Sequence, residues 1–225
     1  MDADAIVRRA HDVGAASILD TDQSAGIIPV EVASLGVDFA IGGCLKWVCG
    51  GPGIAFLYTR PDLLAQAKPS LTGCLSRRHP FDFEIEGPDL DFLVSDPAAA
   101  AARKTGSDPG LRGDAMHMTD GTPSIAAYDA ALAGLDIIDA VGVERIRAAS
   151  KSMTARLLAL IDEYGFTSAA ARDPGRLAGT VAVNVPDAPL VSRTLRARDF
   201  SVDDRPAVGS RSRGTFTTRW TRSIG

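Results

Sequence analysis

Ile18-Leu19-Asp20-Thr21-Asp22-Gln23-Ser24-Ala25-Gly26, with Val37-Asp38-Phe39-Ala40-Ile41-Gly42-Gly43-Cys44-Leu45-Lys46-Trp47 shortly after it, decides the fold. Each stretch begins as an apolar run and ends in chemistry. The first reads as a strand that delivers Asp20 to its carboxyl end. The second reads as a strand, Val37 to Ile41, that delivers Lys46 through a glycine turn. Gly50-Gly51-Pro52-Gly53 then stands directly before a third strand, Gly53 to Tyr58. Ligands of open α/β sheets gather beyond the carboxyl ends of strands, so Asp20 and Lys46 are expected at one such end. Taken singly, an Asp at a strand end is usually a turn or cap residue, a Lys beside glycines is usually solvated, and paired glycines are usually turns.

Working outward, residues 2–13 read as an amphipathic helix, with Ile6, Ala10 and Val13 in helical spacing and Gly14 as its terminator. Ala15 to Leu19 forms the body of the first strand. Helix, strand, connection and strand in quick order suggest an α/β layer whose sheet faces are both covered. Residues 68–120 are irregular, with an Ala98–Ala102 run that reads as plain helix or linker. Thr122-Pro123 is expected to open a helix as N-cap and first helical residue. A longer helix is expected from Val143 to Tyr164, with Ile146, Met153, Leu157 and Leu160 on its apolar face and Gly165 after it. A strand (Thr180 to Val185), a helix (Pro189 to Ala197) and short strands near Phe200 and Thr215 follow. The expected division is 1–138 for a larger α/β domain and 139–225 for a small α+β domain.

The composition is that of an ordinary globular protein: 225 residues, 45% hydrophobic and 23% charged, with a formal net charge of -4. No dense basic run marks a nucleic-acid footprint; Arg205, Arg211, Arg213, Arg219 and Arg222 are too interrupted for one. Cys44, Cys49 and Cys74 form no C-x-x-C pair and point to no metal site, and a reduced, cytoplasmic setting is expected. Met1-Asp2-Ala3-Asp4 lacks the basic start of a signal peptide. The most apolar stretch, Val37 to Tyr58, holds Asp38, Lys46 and several glycines, so no spanning helix and no membrane partner are expected.

"ILDTDQSAG" followed by "VDFAIGGCLKWVCGGPGIAFLYTRPDL" resembles the central stretch of the class V aminotransferase superfamily, and Lys46 follows Asp20 by 26 residues, as in that family. "GGPG" before an apolar strand ending in "RPDL" is similar to kynureninases. "LTGCLSRRHPFDF" (71–83) resembles the kynureninase segment that closes over substrate, and "DGTPSI" (120–125) resembles the family's threonine loop. The resemblance runs from about residue 2 to about residue 218 and is most specific over 18–58. It implies a pyridoxal-phosphate enzyme of fold type I: part of a large domain with a mainly parallel sheet, plus a small α+β domain.

The resemblance also implies roles. Lys46 would be the Schiff-base lysine, made nucleophilic by desolvation or a nearby positive charge. Asp20 would pair with the pyridine nitrogen and keep it protonated, so that the ring acts as an electron sink. Gln23 would lie near the cofactor's 3-oxygen. Thr122 would touch the cofactor phosphate of a neighbouring subunit. Arg211, with Arg205 and Arg213 as alternatives, would bind the carboxylate of a small amino-acid substrate as a bidentate partner. The implied activity is kynurenine hydrolysis or a related transamination or lyase reaction.

Three departures bear on that activity. Kynureninases carry a His where this chain has Gln23, a Tyr where it has Leu45 and a Trp where it has Cys74. Leu45 cannot supply the tyrosine hydroxyl, so the resemblance carries cofactor binding further than kynurenine hydrolysis. Cysteine desulfurase chemistry is disfavoured, because Cys74 comes too early for that family's catalytic loop. The chain starts just before the acid-bearing strand. By the resemblance, the family's phosphate-cradling loop, the ring that stacks on the cofactor, several strands and the last helix are expected to lie outside this stretch. The expectation is a homodimer, or a partner chain that supplies the N-terminal half. The alternatives are an inactive truncated remnant, half of a split enzyme, and an unrelated α/β binding module.

Overall fold

In a computed structural model, residues 2–80, 110–206 and 214–219 are described. Helix α1, Ala3–Asp12, starts where the Asp2 carboxylate accepts the Ala5 amide at 3.1 Å, and ends ahead of Gly14, whose φ of 71° reverses the chain. Strands β1 (Ile18–Asp20), β2 (Phe39–Gly43) and β3 (Ala55–Thr59) form one sheet in the order β1-β2-β3, with the short helix α2, Val32–Leu35, between the first two. β1 pairs with β2 in parallel and β2 with β3 antiparallel, so the described part of this sheet holds one parallel and one antiparallel pair. The antiparallel return is short because only the 44–54 turn joins β2 to β3, whereas a parallel return would need a crossover.

The register puts Leu19, Ala40 and Tyr58 in one row, and these pack with Val7, Val37 and Val32 under α1. The alternation of side chains sends the neighbouring row, Asp20, Ile41 and Leu57, to the opposite face. That face does not have the expected cover among the described residues: Ile18 is 68% exposed, Ile41 42% and Leu57 50%. The apolar runs therefore have a partner on one side only.

Asp38, 4% exposed, fastens α1 and the strands together. Its Oδ2 accepts the Ser17 amide (2.7 Å) and hydroxyl (2.8 Å) and lies 2.9 Å from His11 Nε2, while its Oδ1 meets Arg60 Nη1 at 2.7 Å. Burial alone would push this carboxyl up. The Ser17 amide, the His11 ring and the Ser17 hydroxyl outweigh it and hold the pKa at about 2.

After helix α3 (Pro61–Leu64) come helices α4 (Ile125–Val141) and α5 (Val143–Glu163). α4 does not open at Thr122 as expected; it begins after Ser124, which makes no side-chain cap bond. Upstream of it, the Gly73 amide donates to Thr119 O at 3.3 Å, and a Cβ at Gly73 would stand 2.5 Å from Asp120 O. α5 runs as expected, but its buried face is Ser150, Thr154, Leu158 and Ile161, with Met153 exposed. The hydroxyls are satisfied there. Ser150 Oγ donates to Ala178 O (2.7 Å), and Thr154 Oγ1 donates back to Ser150 O (2.9 Å).

Strands β4 (Thr180–Val185), β5 (Val202–Pro206) and β6 (Gly214–Arg219) form a second, antiparallel sheet in the order β4-β6-β5. It packs with α5 and helix α6 (Ala188–Arg196) around Leu158, Ile161, Val181 and Val183. The two layers touch where Trp47 and Ile27 crowd Gly179; a Cβ there would lie 2.3 Å from the indole. The Ala98–Ala102 run lies outside the described residues. No helix among the described residues is long and apolar enough to cross a membrane.

Candidate functional site

The parallel pairing of β1 and β2 brings their carboxyl ends together, with Asp20 opposite Ile41. Beyond β2 the chain turns tightly: the Cys44 amide donates to Ile54 O (3.1 Å), Gly50 to Cys44 O (2.7 Å) and Cys49 to Lys46 O (3.1 Å). Cys49 takes a left-handed φ of 57°, a strained conformation for a residue with a side chain. α4 presses on this turn from behind. Ala131 packs with Cys44 and Val48, and Gly134 lets the helix backbone approach the carbonyl of Val48.

On this turn Lys46 is half-buried, and its Nζ is in ion-pair contact with Asp22 Oδ2. The other Asp22 oxygen, Oδ1, accepts the Gly43 amide at 3.0 Å. A Cβ at Gly43 would stand 2.9 Å from that oxygen, so the strand end needs glycine to let the carboxylate in. The Lys46 hydrogen bond holds the Asp22 carboxyl below its ordinary range, against a smaller opposing effect of burial. Asp20 supports the arrangement: its Oδ1 accepts the Asp22 amide at 2.9 Å.

The structure thus brings Asp20 and Lys46 to one strand end, with Gln23 exposed on the same loop. Asp22, the residue that touches Lys46, was not singled out in the sequence. Thr122 is exposed ahead of α4, and among the described residues no hydrogen bond joins it to the Lys46 turn. Its segment instead lies against Gly73, so the two stretches resembling the closing segment and the threonine loop are neighbours. The first of them is described as far as Pro80. Arg211 and Arg213 lie outside the described residues, and of Arg205 only the backbone, in β5, is described.

Residues 1–83, which contain both strand ends and the turn, match the family model Aminotransferase class-V. The chain belongs to the class V aminotransferase superfamily. It is 31% identical to the uncharacterized aminotransferase YcbU of Bacillus subtilis over 180 residues, 79% of this chain and 42% of that protein. It is 31% identical to a kynureninase of Deinococcus radiodurans over 163 residues, 72% of this chain and 34% of that enzyme. The solved apo structure of a cysteine desulfurase from Thermococcus onnurineus NA1 superposes with a TM-score of 0.74 at 24% identity, covering 97% of this chain and 51% of that one. The cystine C-S lyase C-DES, which has a structure with glycine covalently linked to its PLP cofactor, superposes at a TM-score of 0.61. These likenesses show the α/β fold of the fold type I enzymes. The chain spans about two fifths of the length of the class V relatives named here, or less, and about half that of the desulfurase.

Proposed function

We propose that this chain carries the lysine-bearing part of a pyridoxal-phosphate-dependent class V enzyme acting on a small amino-acid substrate. The observation that carries the reading is the strand end itself: a primary amine, Lys46 Nζ, held in place beside a loop that carries two carboxylates, Asp20 and Asp22. That donor set fits the cofactor. An amine is needed to engage its carbonyl carbon, and a carboxylate to hold a proton on its ring nitrogen. Pyridoxal phosphate, when bound, supplies an electron sink for charge that develops at the substrate α-carbon.

The chain's own residues do the rest. Lys46 binds the cofactor and moves the substrate α-proton. Asp20 holds the ring-nitrogen proton, and Gln23 donates toward the 3-oxygen. Thr122 serves the phosphate of a neighbouring subunit in a homodimer, and Arg211 takes the substrate carboxylate. The α4 helix bridges the division proposed at residue 138 between the cofactor domain and the small domain. Kynurenine hydrolysis, transamination and lyase chemistry are the finer readings. Leu45 offers no hydroxyl beside the lysine, which favours the latter two. A second reading is that this chain works only with a partner chain that covers the open face of its first sheet. The exposed face carrying Ile18, Ile41 and Leu57 supports it.

The test is cofactor incorporation. The protein incubated with pyridoxal phosphate and reduced with borohydride should carry the label at Lys46, and Lys46→Ala should lose both the label and the visible absorbance. Asp20→Asn should keep some cofactor and lose most turnover. Label spread evenly over Lys46, Lys68, Lys104 and Lys151 would overturn the assignment.

A further inference from the structure

Asp22 adds a component that the reading above does not use, although the inference rests on that reading. Its carboxylate bridges two groups on the far side of the strand pair: the Gly43 amide at the end of β2 and the Lys46 ammonium three residues on. The bridge is seated from below, because Asp20 Oδ1 fixes the Asp22 amide. It is also open to solvent in part, with the Asp22 side chain 33% exposed and that of Lys46 28%. The charged group beside it on the loop is Asp20, and the titratable side chains on the turn are Cys44, buried, and Cys49, exposed.

A lysine nitrogen attacks a carbonyl carbon only after losing its proton. The nitrogen lone pair then forms the C–N bond, and the carbonyl oxygen leaves as water. The Asp22 contact with Nζ has to open before a carbonyl carbon can take its place. We propose that Asp22 is a positioning residue for Lys46, a clamp that holds Nζ at the strand end through an ion pair that an incoming carbonyl ligand must displace.

Asp22→Asn separates this role from a merely structural one. The amide oxygen can still accept the Gly43 amide, whereas the charge facing Lys46 is gone. Pyridoxal, which lacks the phosphate, serves as the probe: the full chain is incubated with it, reduced with borohydride, and the label at residue 46 is counted by peptide mass spectrometry across pH. At neutral pH Asp22→Asn should be labelled at Lys46 about threefold faster than the wild type, the order expected for losing a partly exposed ion pair. Asp22→Glu should return to the wild-type profile. An Asp22→Asn profile that superposes on the wild type overturns the proposal. Salt provides the same test on the native chain. Screening should speed labelling of Lys46 relative to Lys68, and no salt effect specific to Lys46 overturns the clamp. The comparison is made at one lysine. It therefore decides the proposal even if wild-type Lys46 is labelled no faster than Lys68 or Lys151, a result that counts against the cofactor reading alone.

Discussion

Gly134→Ala tests whether α4 is what holds the lysine turn in shape. A Cβ built on Gly134 would lie 2.4 Å from Val48 O, 2.5 Å from Cys49 C and 2.6 Å from Cys49 O. All three are backbone atoms of the turn, so no rotamer change can relieve the contact. Ordinary carbon contacts lie near 3.5 Å, so helix and turn must part by about 1 Å. Alanine gains about 1 kcal/mol of helix propensity over glycine, and overpacking of this kind costs about 1–3 kcal/mol. With three backbone contacts this short, the upper half of that range applies, and the net loss should be about 1–2 kcal/mol. The turn that must move already holds Cys49 at a φ of 57° and carries Lys46. The urea midpoint should fall, and pyridoxal labelling of Lys46 should change along with it. Gly121→Ala is the control, since a Cβ there meets nothing within 4 Å, and it should leave both readouts unchanged. A Gly134→Ala variant as stable as the wild type, with unchanged labelling, would refute the claim that α4 supports the turn.

Two further outcomes are expected from the sheet. Asp38→Asn should cost about 2 kcal/mol, since a carboxyl held at about 2 rather than 3.8 is lowered by nearly two units. Because the folded value is depressed, this contribution is complete above pH about 4 and is lost as pH falls toward 2. Urea midpoints measured down that range should fall less in Asp38→Asn than in the wild type, and parallel curves would show that the network adds nothing. The exposed sheet face carrying Ile18, Ile41 and Leu57 should make the chain self-associate or require a partner. Light scattering after size exclusion should find little stable monomer, and Ile41→Lys with Leu57→Lys should raise the monomer fraction; a compact wild-type monomer contradicts this.

The strands, the glycine turn and the shared strand end of Asp20 and Lys46 were legible because local signals carry them: apolar runs, paired glycines and their order. What was not legible depends on register or on packing across the chain. Asp22 reads as one more polar loop residue until β1 and β2 are placed side by side, since its partners Gly43 and Lys46 lie 21 and 24 residues away. Helical spacing correctly found α5 but chose Met153 over Thr154 for the buried face. Hydropathy cannot see that Ser150 finds an acceptor in Ala178 O. Thr122-Pro123 carried a helix-start signal, and the helix opens two residues after it, with Ser124 as N-cap. Asp38 looked like an interruption of an apolar run, yet it is the residue that joins α1, β2 and Arg60.

The two carboxylate clusters at opposite ends of β2 explain why one strand can serve both stability and chemistry. At the start of β2, Asp38 is buried with both oxygens engaged: Oδ2 takes two bonds from Ser17 and a contact with His11, and Oδ1 meets Arg60. Removing any one of these leaves a buried charge short of a bond, which is costly. At the end of β2, Asp22 is one-third exposed and makes two contacts, and water can replace the Lys46 one at little cost. A network that water cannot repair holds the sheet together, and a pair that water can repair is free to open. That asymmetry in burial places the exchangeable amine, Lys46, at the end of the strand where ligands of open α/β sheets gather, and the fixed network at the other.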